Sequence, residues 1–267
     1  MIAFFDSGFG GLSVMSAVLK KIPDYNYIYL GDNARTPYGN KSQELIYKYS
    51  KEAVDFLFSE GAELIIIACN TISARALRRI QQEYLPKKYP NKKVLGVVVP
   101  MVESLLELKN TKICGILGTK STIESGVYNE ELKKHKNNIK TINQACPLLV
   151  PLIEEGKTSH RATKIFLKEY LKPLKKENVD TVVLACTHYN LMLKEIKNSF
   201  NKKVKIVTSD VLADKLIEYL EKHSKIEKKI QKQQKRLYYT SGDVLQFKKL
   251  GTKFLGMELK TVKQIEL

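Results

Sequence analysis

Long hydrophobic runs are missing from this 267-residue chain, and no apolar stretch approaches the roughly 20 residues that cross a bilayer. The opening residues, Met1 to Asp6, lack the basic region and cleavage site of a secretory leader, so a cytoplasmic location is expected. Cysteine occurs only four times, at 69, 114, 146 and 186, and no Cys-x-x-Cys is present. That scarcity argues against a disulfide framework and fits free thiols in a reducing compartment. Cys186-x-His188 is the one close Cys/His pair, too few ligands for zinc, and no metal is expected. The glycine-rich loop at residues 6–11 has neither the lysine of a P-loop nor dinucleotide-binding spacing. No pyridoxal-phosphate signature stands elsewhere, so no cofactor is expected. Arginine is scarce as well, six of the 45 basic residues, although the net charge is +17. Bidentate recognition of phosphates and bases draws on arginine, so nucleic acid is not the expected partner. The charge reads as a lysine-rich solvated surface whose field gathers a small anionic substrate.

What is present is a repeated strand end. Leu64-Ile65-Ile66-Ile67-Ala68-Cys69-Asn70-Thr71 runs from aliphatic residues into a thiol, an amide and a hydroxyl. Thr181-Val182-Val183-Leu184-Ala185-Cys186-Thr187-His188 repeats the pattern. Unbroken β-branched and aliphatic runs are strands buried on both faces, as in parallel sheets, whose ligands collect at the carboxyl ends. Each copy thus offers one cysteine to such a site.

Strands alternate with helices along the chain, which predicts a doubly wound α/β fold. The first half reads as a strand at 2–5, a Ser7-bearing loop and a helix over 12–20, then a strand at 27–30. A loop through Tyr38 and Gly39 precedes a helix to about Glu60, started by Asn40 and Gln43 at capping-box spacing. After the Cys69 strand come a helix over 73–84 and a strand over 93–99 ending at Pro100. The pattern then restarts with strands at 113–117, 141–146, 181–185 and 204–207, and a long amphipathic helix over 161–176. Two similar halves, each with an early hydroxyl loop (Ser7, Thr119) and a later Ala-Cys, predict an internal duplication facing a central cleft. Residues 221–236 are a lysine-rich connector, and strands at 237–240 and 254–255 return to the first half. The expected domains are therefore 1–99 with 208–267, and 100–207.

Two thiols facing one cavity suit cofactor-free racemisation, in which one removes a proton from carbon and the other supplies one to the opposite face. A thiol near pKa 8.5 needs help to ionise at neutral pH. Asp6 is the candidate beside Cys69, and His188, oriented by Glu154, the candidate beside Cys186. Ser7, Asn70, Thr71, Thr119 and Thr187 are small polar groups able to hold a substrate carboxylate and stabilise the carbanion.

Asp-Ser-Gly-Phe-Gly-Gly at 6–11, Gly-Asp at 31–32, Pro-Tyr-Gly at 37–39 and Ala-Cys-Asn-Thr at 68–71 resemble the glutamate racemase family. So do Gly-Thr at 118–119, Ala-Cys-Pro at 145–147, Cys-Thr-His-Tyr at 186–189 and Tyr-Thr-Ser-Gly-Asp at 239–243. The resemblance runs in order along nearly the whole chain. It implies cofactor-independent interconversion of L- and D-glutamate for peptidoglycan, a pseudo-symmetric two-domain fold and a homodimer. By motif it makes Cys69 and Cys186 the acid/base pair, assisted by Asp6, Glu154 and His188. It assigns substrate binding to Asp6, Ser7, Tyr38, Gly39, Asn70, Thr71, Thr187 and His188. Asn190 stands where the family commonly has proline, which would loosen this loop, and Thr208-Ser209-Asp210 departs from the expected Asp-Ser order. The alternatives are a racemase for aspartate or another acidic amino acid, and a basic nucleic-acid-binding protein on a degenerate racemase fold.

Overall fold

The computed structural model describes all residues, Met1–Leu267, as two parallel sheets with helices packed on them. β1 (Ile2–Asp6), β2 (Tyr27–Gly31), β3 (Leu64–Ile67) and β4 (Lys93–Gly96) form most of the first sheet. β5 (Ile113–Gly118), β6 (Lys140–Ala145), β7 (Thr181–Ala185) and β8 (Lys205–Val207) form the second. β9 (Arg236–Thr240) and β10 (Lys263–Gln264) return to the first, giving the orders β10-β9-β2-β1-β3-β4 and β6-β5-β7-β8. The four strands of the second half take the same order, second-first-third-fourth, as the first four of the chain. The predicted duplication is thus visible as topology, and β3 and β7 occupy equivalent places.

Every residue of β1, β2, β3 and β7 is buried, as their unbroken apolar sequences require of strands covered on both faces. A core of 39 buried residues runs through both domains, joining Phe4, Tyr29 and Leu12 to Leu184, Met192 and Leu216. A second core of 21 residues lies under the helix Gln43–Ser59, and a third of 11 under the helix Val98–Glu107. No helix is long and apolar enough to cross a membrane.

Several local expectations are corrected. Ser42, not Asn40, caps the helix Gln43–Ser59, its hydroxyl accepting from Leu45 N–H, because Asn40 closes a separate short turn at Tyr38–Asn40. The helix expected from Ser73 begins at Asn70, immediately after Cys69, and continues through a break at Ala76 into the π-helical turn Ile80–Tyr84. Pro100 does not end a strand; it sits in the first turn of the helix Val98–Glu107, where its missing N–H has no helical partner to lose. Phe254 and Leu255 are not a strand either. They close the helix Val244–Leu255, whose amphipathic face buries Phe247, Leu250 and Phe254, and β10 follows instead. Within the lysine-rich connector, Ile230 is buried and the backbone N–H groups of Gln233 and Lys235 donate to the side chain of buried Asn26.

Candidate active site

Cys69 follows β3 as the residue before the helix Asn70–Arg75, and Cys186 follows β7 into the turn Thr187–Met192. Equivalent strands therefore deliver one thiol each to the gap between the sheets. Both line a small cavity of about 70 Å³. Ser7, Tyr38, Gly39, Asn70 and Thr71 line it from the first domain. Thr119, Thr187 and His188 line it from the second. Asp6 and Glu154 do not line it. Asp6 is fully buried behind the wall, and Glu154 stands behind His188.

The loop after β1 explains how the two sheets meet here. Gly8 N–H donates to Asp6 Oδ1 at 2.9 Å, and Thr187 Oγ1 donates to Asp6 Oδ2 at 3.3 Å, so this carboxyl ties β1 to the Cys186 turn. Gly10 allows that approach. A Cβ built on it would stand 2.2 Å from Thr187 Oγ1 and 2.6 Å from His188 Nδ1. The glycine-rich loop thus admits the opposite domain rather than a ligand's phosphate. Across the cavity Thr71 Oγ1 meets Thr119 Oγ1 at 3.0 Å and Thr122 Oγ1 at 3.3 Å, a second hydroxyl link between the domains. Tyr38 donates its hydroxyl to buried Asp32, which also accepts from Arg35 Nε at 2.7 Å. That network fixes the ring forming one wall.

The two thiols differ in surroundings. Burial, and then the Asp6 carboxylate, push Cys69 up to about 12, although Ile72 N–H and the Ser7 hydroxyl 3.6 Å away hydrogen-bond its sulfur. Burial likewise raises Asp6 above the usual carboxylate range, opposed by the field of His188 and by hydrogen bonds from Gly8, Gly11 and Thr187. For His188 burial disfavours the charge, but hydrogen bonds to Cys186 and Glu154 outweigh it and lift the imidazole to about 10. Its Nε2 lies 2.9 Å from Glu154 Oε1, and Phe254 meets the ring edge-on at 5.2 Å. A cation therefore accompanies Cys186, while Cys69 is held as a neutral thiol. No three His, Cys, Asp or Glu side chains converge as a metal would require.

Residues not selected from sequence also build the cavity. Thr36, Pro37, Asn40, Lys120, Cys146, Pro147, Val150, Pro151 and Ala185 complete its lining. A signal for Cys146 existed, since it follows an alanine at the end of β6 as Cys69 and Cys186 follow alanines at the ends of β3 and β7. Burial and the neighbouring Cys186 push its thiol up. Asn190 is not a loosening residue. Its Nδ2 lies 3.2 Å from Ser13 Oγ, 3.1 Å from Ser209 Oγ and 3.3 Å from Asp210 Oδ1. The two departures from the family pattern, at 190 and at 208–210, thus meet and brace each other.

Comparison with known proteins gives the same direction. The model of the Asp/Glu/Hydantoin racemase family matches residues 12–214. The glutamate racemase of Aquifex aeolicus is 43% identical over 208 residues, 78% of each chain. The crystal structure of glutamate racemase isoform RacE1 from Bacillus anthracis superposes with a TM-score of 0.90 at 30% identity, covering 100% of this chain and 97% of that one. Glutamate racemase from Francisella tularensis in complex with D-glutamate gives 0.88 at 31% identity, covering 99% and 97%. With the model spanning most of the sequence and a solved relative covering all of it, the chain belongs to the aspartate/glutamate racemase family of isomerases.

Proposed function

We propose that the protein interconverts L- and D-glutamate by proton transfer between the α-carbon and two cysteines, with no cofactor. The observation that carries this reading is the placement of Cys69 and Cys186 at the ends of topologically equivalent strands, on one cavity, each with its own polar partner. Two thiols supply both an acceptor and a donor, so neither face needs a further acid or base. The Francisella tularensis relative, bound to D-glutamate, supports the substrate.

Starting from L-glutamate, Cys186 beside the His188 imidazolium takes the α-proton as thiolate, and the Cys69 thiol delivers one to the opposite face. Cys69 is left as thiolate and Cys186 as thiol, which is the pair required for the reverse reaction from D-glutamate. Asp6 and His188, with Glu154 orienting the imidazole, move protons on and off the sulfurs between turnovers. Donors at Ser7, Asn70, Thr71, Thr119 and Thr187 hold the substrate carboxylates, and Tyr38 and Gly39 shape the wall. D-glutamate made this way supplies peptidoglycan synthesis, in the cytoplasm, from a homodimer. The division proposed is residues 1–99 with 208–267 against residues 100–207, in keeping with the membership of the two sheets.

The test is circular dichroism of D- or L-glutamate incubated with purified protein treated with EDTA and stripped of pyridoxal phosphate. Loss of optical activity from both isomers is expected. A rate restored only by an added cofactor, or loss of signal from aspartate but not from glutamate, would overturn the reading.

A further inference from the structure

Asn70 has a buried side chain, 2% exposed, with its two ends treated differently. Its Oδ1 accepts a 2.6 Å hydrogen bond from the hydroxyl of Tyr128, while its buried Nδ2 has no partner within the protein. Tyr128 lies on the helix Val127–Lys134 of the second domain, is itself buried and does not line the cavity. Asn70 is the first residue of the helix Asn70–Arg75 in the first domain and does line it. One hydroxyl therefore reaches across the domain boundary to a residue of the candidate site.

An asparagine amide has an acceptor end and a donor end of nearly equal shape, and the hydrogen-bond network decides which way it faces. A donor must stand opposite the oxygen to hold it. The phenol can also reach Met101 Sδ at 3.2 Å. A thioether accepts weakly and an amide oxygen strongly, so the single phenolic proton goes to Asn70. Burial raises the phenol above its ordinary range, so it stays a donor throughout any working pH. An unpartnered buried N–H group costs about 1–3 kcal/mol, which is recovered when a ligand supplies an acceptor. Of the polar groups of glutamate, the ammonium only donates and the carboxylates only accept. The group left open by Asn70 suits a carboxylate and nothing else on that substrate.

We propose that Tyr128 is a positioning residue: by holding Asn70 Oδ1 it turns the Nδ2 donor toward a substrate carboxylate. This rests on the glutamate reading above and deepens it. Without the hydroxyl the amide is free to present its oxygen, which repels the carboxylate. The effect falls on ground-state and transition-state binding alike, so KM rises and kcat is spared. It also makes binding depend on the relation of the two domains, since donor and acceptor come from different sheets.

The experiment measures kcat and KM for both glutamate isomers in wild type, Tyr128→Phe, Asn70→Ala and the double variant, with melting temperatures alongside. Tyr128→Phe removes one oxygen and keeps the ring. A KM rise of about tenfold with kcat within about threefold is expected, the size of one charge-assisted hydrogen bond. In the Asn70→Ala background the same change should raise KM by less than about twofold, because the residue through which it acts is gone. Unchanged KM in Tyr128→Phe, or equal effects in both backgrounds, would overturn the proposal. Met101→Leu supplies an independent arm that leaves Tyr128 in place: it removes the competing acceptor, so KM should stay within about twofold. A tenfold rise there would mean the phenol donates to sulfur, and would overturn the assigned orientation. A wild-type protein that does not act on glutamate at all strikes the functional reading first, whereas an active wild type with an indifferent Tyr128→Phe strikes this inference alone.

Discussion

His188 Nε2 stands 2.9 Å from Glu154 Oε1, and the same imidazole is raised by its two neighbours Cys186 and Glu154. The corresponding neighbours of Cys69 are a buried carboxyl and the Ser7 hydroxyl. The two halves of the site are alike in topology and unlike in charge, and most of what can be measured follows from that difference.

Thiolate, not thiol, reacts with alkylating agents. With Cys69 pushed up to about 12 and Cys186 beside a cation, iodoacetamide at pH 7 without substrate should label Cys186 at least about tenfold faster than Cys69. Peptide mass mapping over time reads the ratio. Equal rates, or a faster Cys69, would contradict the assigned charge state.

Serine has no accessible anion near neutral pH, so Cys69→Ser and Cys186→Ser should each lower full racemisation by at least about a thousandfold, roughly 4 kcal/mol of barrier. An α-proton abstraction followed by loss of a leaving group needs only one of the two thiols. On a glutamate analogue carrying such a group, Cys186→Ser should still eliminate from the D-isomer and Cys69→Ser from the L-isomer. Near-normal racemisation by either variant, or the same surviving isomer in both, would break the two-thiol assignment.

The raised imidazole also gives stability a pH dependence. Because His188 stands above its ordinary 6.5 in the folded protein, its contribution is full below pH 6.5 and is lost as pH rises through about 10. Cys69, raised from 9.0 to about 12, favours the folded state in the same sense, with its loss confined above pH 9. The wild-type melting temperature should therefore fall from pH 7 to 10, and His188→Asn should flatten that fall. Parallel curves for the two proteins would sink this account.

Gly10→Ala places a methyl group against Thr187 and His188, at distances no Cβ tolerates. Since the Thr187 hydroxyl and the packed His188 ring must both shift, a cost of about 1–3 kcal/mol is expected, together with a fall in kcat of tenfold or more. Urea unfolding and racemisation assays check the two separately. A stable, fully active variant would show that the loop and the Cys186 turn are not held in register.

The strands and both cysteines were legible because a strand buried on two faces has to be apolar throughout, and β3 and β7 are. The helix Val244–Leu255 was not, since Phe254-Leu255 taken alone has the same character in either period; only the spacing back to Phe247 and Leu250 marks it. Pro100 misled in the same way, being compatible with a stop and with a first helical turn. For the site, local motifs bring out residues on the strand-end loops. They do not bring out Tyr128, whose function comes from a neighbour 58 positions away, nor do they reveal that Asp6 lies behind the cavity wall.

The order of strands also sets an order of assembly on the ribosome. β5 to β8 lie in one continuous stretch, so the second sheet has all its members once β8 emerges. β2 pairs with β1 on one side and with β9 on the other. Roughly 200 residues separate β2 from β9, about 10–40 s of synthesis at ~5–20 residues per second. Through that interval the Tyr27–Gly31 edge has no strand beside it, and such edges pair readily with other chains. The nascent protein is thus most prone to misassociation while its second sheet is already being completed, and a strand made roughly 200 residues later is the one that seals the first sheet.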